Sequence, residues 1–190
     1  MCRCTSSIVA SVLVLLCTAM AFAQSPSGPA KPGPEVKKLG VYVGKWTIES
    51  NLPPGAMGSK GGKTTGAATC EWVAQGWGVF CRESLPLPGG VGALTDVYMI
   101  AYDGEKKSYF FTQVSAGSSN WVGRGTVDGD TWTWTVDSTG NGKPYQVRFT
   151  DKFTSPDSFD FKNEIGEGGG AMQVMMSGKQ TRARTPAAKR

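Results

Sequence analysis

Thr131-Trp132-Thr133-Trp134-Thr135-Val136 swaps polar and apolar residues at every position, the period of a strand whose side chains alternate between two faces. From Leu39 to Arg182 the chain repeats this pattern in short runs. Strand candidates lie near 42–50, 64–73, 78–85, 94–102, 107–115, 119–127, 131–137, 144–154, 158–165 and 170–182. Asp103-Gly104, Asp128-Gly129, Asn141-Gly142 and Ser155-Pro156-Asp157 separate them as turns, since Gly tolerates positive φ and Pro presets its own. Links this short join antiparallel neighbours in up-and-down order. A protein made only of strands must hide its edges, and closing the sheet hides all of them. The chain is therefore expected to be all-β, a single antiparallel up-and-down β-barrel of about ten strands around a cavity. A short N-terminal helix over Pro34–Leu39, opened by Pro and stopped by Gly40, precedes it.

The domain spans 34–182 on this reading. Residues 1–23 read as a signal peptide: Arg3, a mostly apolar run from Ile8 to Met20, then Ala21-Phe22-Ala23 with small residues at both positions a signal peptidase reads. Cleavage is expected before Gln24, the alternative being an uncleaved anchor, and the protein is expected to be periplasmic or secreted. Leu16 before Cys17 argues against a lipoprotein site. Residues 24–33, rich in Pro, Ser and Gly, form a flexible leader, and 183–190 a basic disordered tail.

The net charge of +5 sits at the ends. Between Gln24 and Thr181 there are fifteen basic and fifteen acidic residues. A neutral body with a basic tail reads as a solvated end, so no nucleic-acid partner is expected, nor a membrane span once the leader is removed. Two of the five cysteines remain after cleavage, Cys70 and Cys81. In an exported protein such a pair is usually oxidised. A hairpin folded about Gln75-Gly76 sets 70 opposite 81, and a four-residue loop, Ala74–Trp77, suits a cross-strand disulfide. Two buried free thiols are the alternative.

The chain contains no histidine. This removes Ser-His-Asp and Cys-His catalysis, histidine-bound zinc and histidine-ligated haem together. Gly61-Gly62-Lys63-Thr64 lacks the first glycine of a phosphate loop, Met57 standing there, and leads into a strand. Most acids occupy turns or polar strand faces, as Asp160 and Glu164 do. No enzyme activity and no cofactor are expected. The positive signal is aromatic. Trp72, Tyr98, Tyr102 and Trp121, with Met172 and Met176 on the last strand, are candidates to line a ligand cavity. Arg124 and Arg148 lie within strands and either point outward or meet a buried anion. The Pro- and Gly-rich stretch from Leu52 to Gly62, too long for a tight turn, is a candidate lid or a plain loop.

The short helix followed by Gly44-Lys45-Trp46 resembles the start of the calycin superfamily, the lipocalins, fatty-acid-binding proteins and nitrobindin-like haem barrels. The resemblance implies a lipocalin-like barrel in which Trp46 packs across the closed end, with Arg182 or Arg184 over its ring. The haem barrels bind iron through a histidine, which this chain lacks, so haem is not expected. Pro32-Gly33-Pro34-Glu35, Tyr102 through Tyr109, and Gly125-Thr126-Val127-Asp128-Gly129 carry a closer resemblance, over nearly the whole mature chain, to a bacterial family of exported proteins of unknown function, domain family 1579. That resemblance implies the fold and no activity.

These readings converge on an exported barrel, monomeric or weakly dimeric, that holds a small apolar or amphipathic molecule. The alternative is a structural or protein-interaction module with a filled interior and an aromatic patch around Trp72 or Trp77. A carboxylate-based enzyme would require acids that converge inside the cavity.

Overall fold

The computed structural model describes residues 31–116 and 120–183. The expected signal peptide, most of the leader and the tail with Arg184 lie outside the described residues. A short helix, α1 (Pro34–Lys38), tightens into a 3-10 turn (Leu39–Val41). Ten strands follow: β1 (Gly44–Leu52), β2 (Gly62–Val73), β3 (Gly78–Pro86), β4 (Ala93–Asp103), β5 (Ser108–Ser115), β6 (Trp121–Asp128), β7 (Thr131–Gly140), β8 (Lys143–Ser155), β9 (Ser158–Glu167) and β10 (Gln173–Arg182). Each pairs antiparallel with the next, and β1 pairs with β10, closing the barrel in up-and-down order. Every strand expected from the alternation is present, with ends that differ by at most three residues. Among the described residues no helix is long and apolar enough to cross a membrane.

Winding does not stop at Gly40. It continues to Val41, and glycine at 40 serves packing, since a Cβ there would lie 3.3 Å from the Trp72 ring. The chain turns into β1 at Gly44, whose φ of +144° lies in a region that side chains disfavour.

One pole of the barrel is capped. The Tyr109 hydroxyl donates to Glu35 Oε2 at 2.8 Å, tying α1 to β5, while Leu39 and Tyr42 are buried among Val79, Trp132 and Trp134. Trp46 is buried at this end. Its indole N–H donates to the Tyr42 carbonyl at 2.7 Å, and the Arg182 guanidinium lies 4.3 Å over the ring centroid. Arg182 also donates to Asp157 Oδ1 at 2.8 Å and to the carbonyls of Val43 and Pro156, so one side chain joins three segments of the pole.

The Cys70–Cys81 disulfide joins β2 to β3 at directly opposed positions, below the four-residue loop Ala74–Trp77. Apolar side chains from alternate positions of β1 and β3 form a separate buried cluster further along the wall. Ile48, Leu52 and Leu85 are almost wholly excluded from solvent, each contributing about 1.5–3 kcal/mol by burial.

Candidate functional site

Between the capped pole and the opposite end the barrel encloses a cavity of about 440 Å³. Inward positions supply its wall. Tyr98, Phe111, Trp121, Trp134, Phe149 and Phe161 present ring surface, and Met175 and Met176 add thioethers. Tyr42 and Phe159 form the floor. Met57, Leu87, Ala93, Leu94 and Ala116 border the end away from α1. The Leu52–Gly62 connection stands at this mouth: Met57, within its 3-10 turn (Ala56–Gly58), reaches the cavity. The pocket is of the size that small ligands use, ~300–1,000 Å³.

Three carboxyls face this apolar space. Glu83 on β3 and Asp96 on β4 are directly opposed in the strand register, and Ser115 on β5 is directly opposite Asp96. All three side chains line the cavity, forming a polar row across three strands. Opposed residues stand ~4.5–5.5 Å apart at Cβ, and two like charges there repel. Burial, then the nearby Asp96 and Asp151, push the Glu83 carboxyl up to about 8. Burial also raises Asp96, although Ser115 and Gln113 hydrogen bonds partly oppose it. Gln113 donates to the Ser115 hydroxyl at 2.8 Å, fixing the row's third member. Asp96 is 6% exposed and its Oδ1 has no hydrogen-bond partner.

Asp151 on β8 lies deeper. It accepts a 2.8 Å hydrogen bond from the Tyr42 hydroxyl, which accepts one from the Trp134 indole at 3.3 Å. Burial pushes Asp151 up to about 6 despite these bonds, and raises the Tyr42 and Tyr98 hydroxyls well above their ordinary value. No Lys or Arg lines the cavity among the described residues. The acids do not gather on one point: among the described residues no three His, Cys, Asp or Glu form a group able to hold a metal ion. Chemically the cavity is an aromatic container with unneutralised proton-holding groups on one wall and at its floor.

Of the expected ligand residues, Tyr98, Trp121 and Met176 line the cavity. Trp121 is held by a 3.3 Å hydrogen bond to the Tyr145 hydroxyl. The other five lie elsewhere. Trp72 is 39% exposed and packs outside the capped pole near Gly40. Tyr102 leans on Tyr109, ring centroids 5.1 Å apart, beyond the cavity floor. Arg124 is on the outer face beside Asp103 at 3.3 Å, and Arg148 on the outer face donates to Glu164 at 2.8 Å. Burial alone would raise Glu164, but Arg148 and Lys162 leave it lowered. Met172 precedes β10 and lies against Gly166, and a bulge between Val174 and Met176 turns both Met175 and Met176 inward.

The interior acids run against the expectation that acids occupy turns and outer faces. Their signal was phase. Glu83 follows Val79 and Cys81 at every second position, Asp96 alternates in step with Leu94, Tyr98 and Ile100, and Asp151 sits between Phe149 and Phe153. A charged residue in phase with a buried face points inward by geometry alone.

A family model described as "Protein of unknown function (DUF1579)" matches residues 31–182. No curated protein matches the chain. Among solved structures, the crystal structure of Rv2717c from M. tuberculosis superposes with a TM-score of 0.60 at 9% identity, covering 81% of this chain and 100% of that one. The S-type phycobiliprotein lyase CPES from Guillardia theta is similar at a TM-score of 0.49 and 12% identity, covering 78% of this chain and 92% of that one. A redesigned beta barrel gives a TM-score of 0.42 at 12% identity, over 77% of this chain and 95% of that one. At these identities the first likeness speaks for the barrel fold alone.

Proposed function

The chain belongs to the DUF1579 family of proteins of unknown function, and we propose that its barrel is an exported carrier, periplasmic or secreted, that binds a small apolar or amphipathic molecule without converting it. The observation that carries this reading is the cavity: about 440 Å³, ringed by aromatic and thioether side chains, bordered at its mouth by small and apolar residues. At the ~30 Å³ that one water occupies in the liquid, it holds roughly fifteen non-hydrogen atoms. Burying such a body on six rings is favourable by area alone, and the polar row orients whatever is bound. A filled interior is at odds with this volume, although Trp72 and Trp77 are exposed on the outside. We assign the carrier no cofactor, and a monomer suffices because one barrel completes the cavity.

Native mass spectrometry of protein purified from its own host, with tryptophan fluorescence against a panel of lipids and aromatic compounds, tests the reading. A non-covalent adduct or quenching by panel members supports it. Absence of both across the panel sinks it.

The opposed Glu83 and Asp96 favour a second reading, acid–base catalysis on the bound molecule, because burial and then Asp96 push the Glu83 carboxyl up to about 8, into the range of a general acid at neutral pH. A bound adduct recovered with its mass changed by the wild type and unchanged by Glu83→Gln would select that reading.

A further inference from the structure

We propose that the cavity selects a cationic amphiphile: a primary or secondary ammonium carried on an apolar chain or ring, its nitrogen held between Glu83 and Asp96. This rests on the carrier reading above and names the chemistry of the molecule carried.

The argument begins with register. Glu83 and Asp96 are opposed across β3 and β4, both lining the cavity, so their carboxyls converge on one stretch of wall. Asp96 keeps Oδ1 without a hydrogen-bond partner although the residue is 94% buried, and buried acceptors are seldom left so. Ser115 and Gln113 bond the carboxyl and partly offset its burial but leave Oδ1 without a partner, and the lining holds no Lys or Arg among the described residues. The wall is short of a donor and of a positive charge.

An ammonium supplies both. It carries several N–H donors in a compact head, enough to reach both carboxyls, and its charge offsets the repulsion between them. A carboxylate or phosphate head would meet two acids with no compensating cation and is excluded by the same electrostatics. A hydroxyl can donate to only one partner. The remaining surface fits the rest of such a molecule: Tyr98 and Trp121 stand beside the row at the next inward level, Tyr98 opposite Gln113 and Gln113 opposite Trp121. Ring faces next to the charge add cation–π attraction, and Phe111, Phe149 and Phe161 receive the apolar body.

The test uses three decyl compounds of equal length, decylammonium, 1-decanol and decanoate, titrated by calorimetry near neutral pH into the wild type and into the double variant Glu83→Gln with Asp96→Asn. Wild type is expected to bind the ammonium at least about tenfold tighter than the alcohol, the scale of a charge-assisted hydrogen bond, and the decanoate weakest. In the variant the ammonium-to-alcohol ratio is expected to fall to about one, because the discriminating charge is gone. Equal affinity for ammonium and alcohol in the wild type, preference for decanoate, or a ratio unchanged in the variant would overturn the proposal and leave the carrier reading standing. Failure of all three to bind would overturn the proposal, and the native mass spectrometry and fluorescence panel then decide the carrier reading separately. The wild-type ratio decides the matter even where the variant does not fold.

Discussion

The Arg182 guanidinium occupies the place a side chain on residue 44 would need: a Cβ built on Gly44 would lie 2.1 Å from Arg182 Nη1, which itself reaches the Val43 carbonyl. The glycine of Gly44-Lys45-Trp46 therefore makes room for the cation that covers the tryptophan two residues on. Gly44→Ala is expected to destabilise the barrel by about 2–3 kcal/mol through this clash and its φ of +144°. Trp46→Ala should cost about 3–5 kcal/mol, as the loss of a buried ring does. Urea unfolding measures both, and a loss under about 1 kcal/mol for Trp46→Ala would remove its role in closing the pole.

Stability should fall as pH rises from acid to mildly basic. Glu83 is pushed up to about 8 and Asp151 up to about 6, from ordinary values of 4.5 and 3.8. Between each pair of values the folded protein holds a proton that the unfolded chain has lost, so stability is full below the unfolded value and is lost as pH approaches the folded one. Asp96 and Asp151 act on Glu83 in the same direction, after burial itself. Glu35, Asp103 and Glu164 are lowered, and their contributions fade only below the ordinary carboxylate range, outside this window. We expect a loss of about 4 kcal/mol between about pH 5 and 8, most of it from Glu83, reduced in Glu83→Gln to the smaller share of Asp151 below about pH 6. Chemical unfolding across that range checks it; a flat or rising curve contradicts the buried acids.

Removing the Cys70–Cys81 cross-link by Cys70→Ser with Cys81→Ser should cost about 3 kcal/mol, as closing a loop of this length does in the chain-entropy model. Unfolding of variant and wild type compared under non-reducing conditions gives the difference. Two alkylatable thiols in the native, non-reduced protein would instead show that the bond does not form.

Gly125 controls the floor from a distance. A Cβ there would lie 2.3 Å from the Trp134 ring, which covers it from the neighbouring strand, and Trp134 holds the Tyr42 hydroxyl that holds Asp151. Gly125→Ala should therefore displace Trp134, cost about 1–3 kcal/mol, and raise the Asp151 pKa above its wild-type value as that chain of donors loosens. Carboxyl NMR titration reads the second effect, and an Asp151 that titrates unchanged would show that the chain does not transmit.

Local pattern carried most of the fold. Alternation and turn residues determined ten strands because period and loop length act over a few residues, and the register of Cys70 with Cys81 followed from one hairpin. The site was harder because inwardness depends on phase. Arg124 stands out of step with Gly123 and Gly125, and Arg148 with Val147 and Phe149, which sends both outward; Glu83, Asp96 and Asp151 are in step and go in. Two positions defeat phase altogether. Trp72 shares the parity of Cys70 yet stands where β2 has run past the barrel wall toward its hairpin, and the bulge before Met176 resets the parity of β10 with no local residue to announce it.

An even strand count sets the barrel's polarity toward the rest of its chain. Trp46 on the first strand and Arg182 on the last are directly paired, so the backbone enters and leaves side by side at the pole that α1 covers. The mouth loops lie at the other pole, so a circular permutation that keeps α1, links its start to the end of β10 and opens new termini at a mouth loop would leave the capped pole intact.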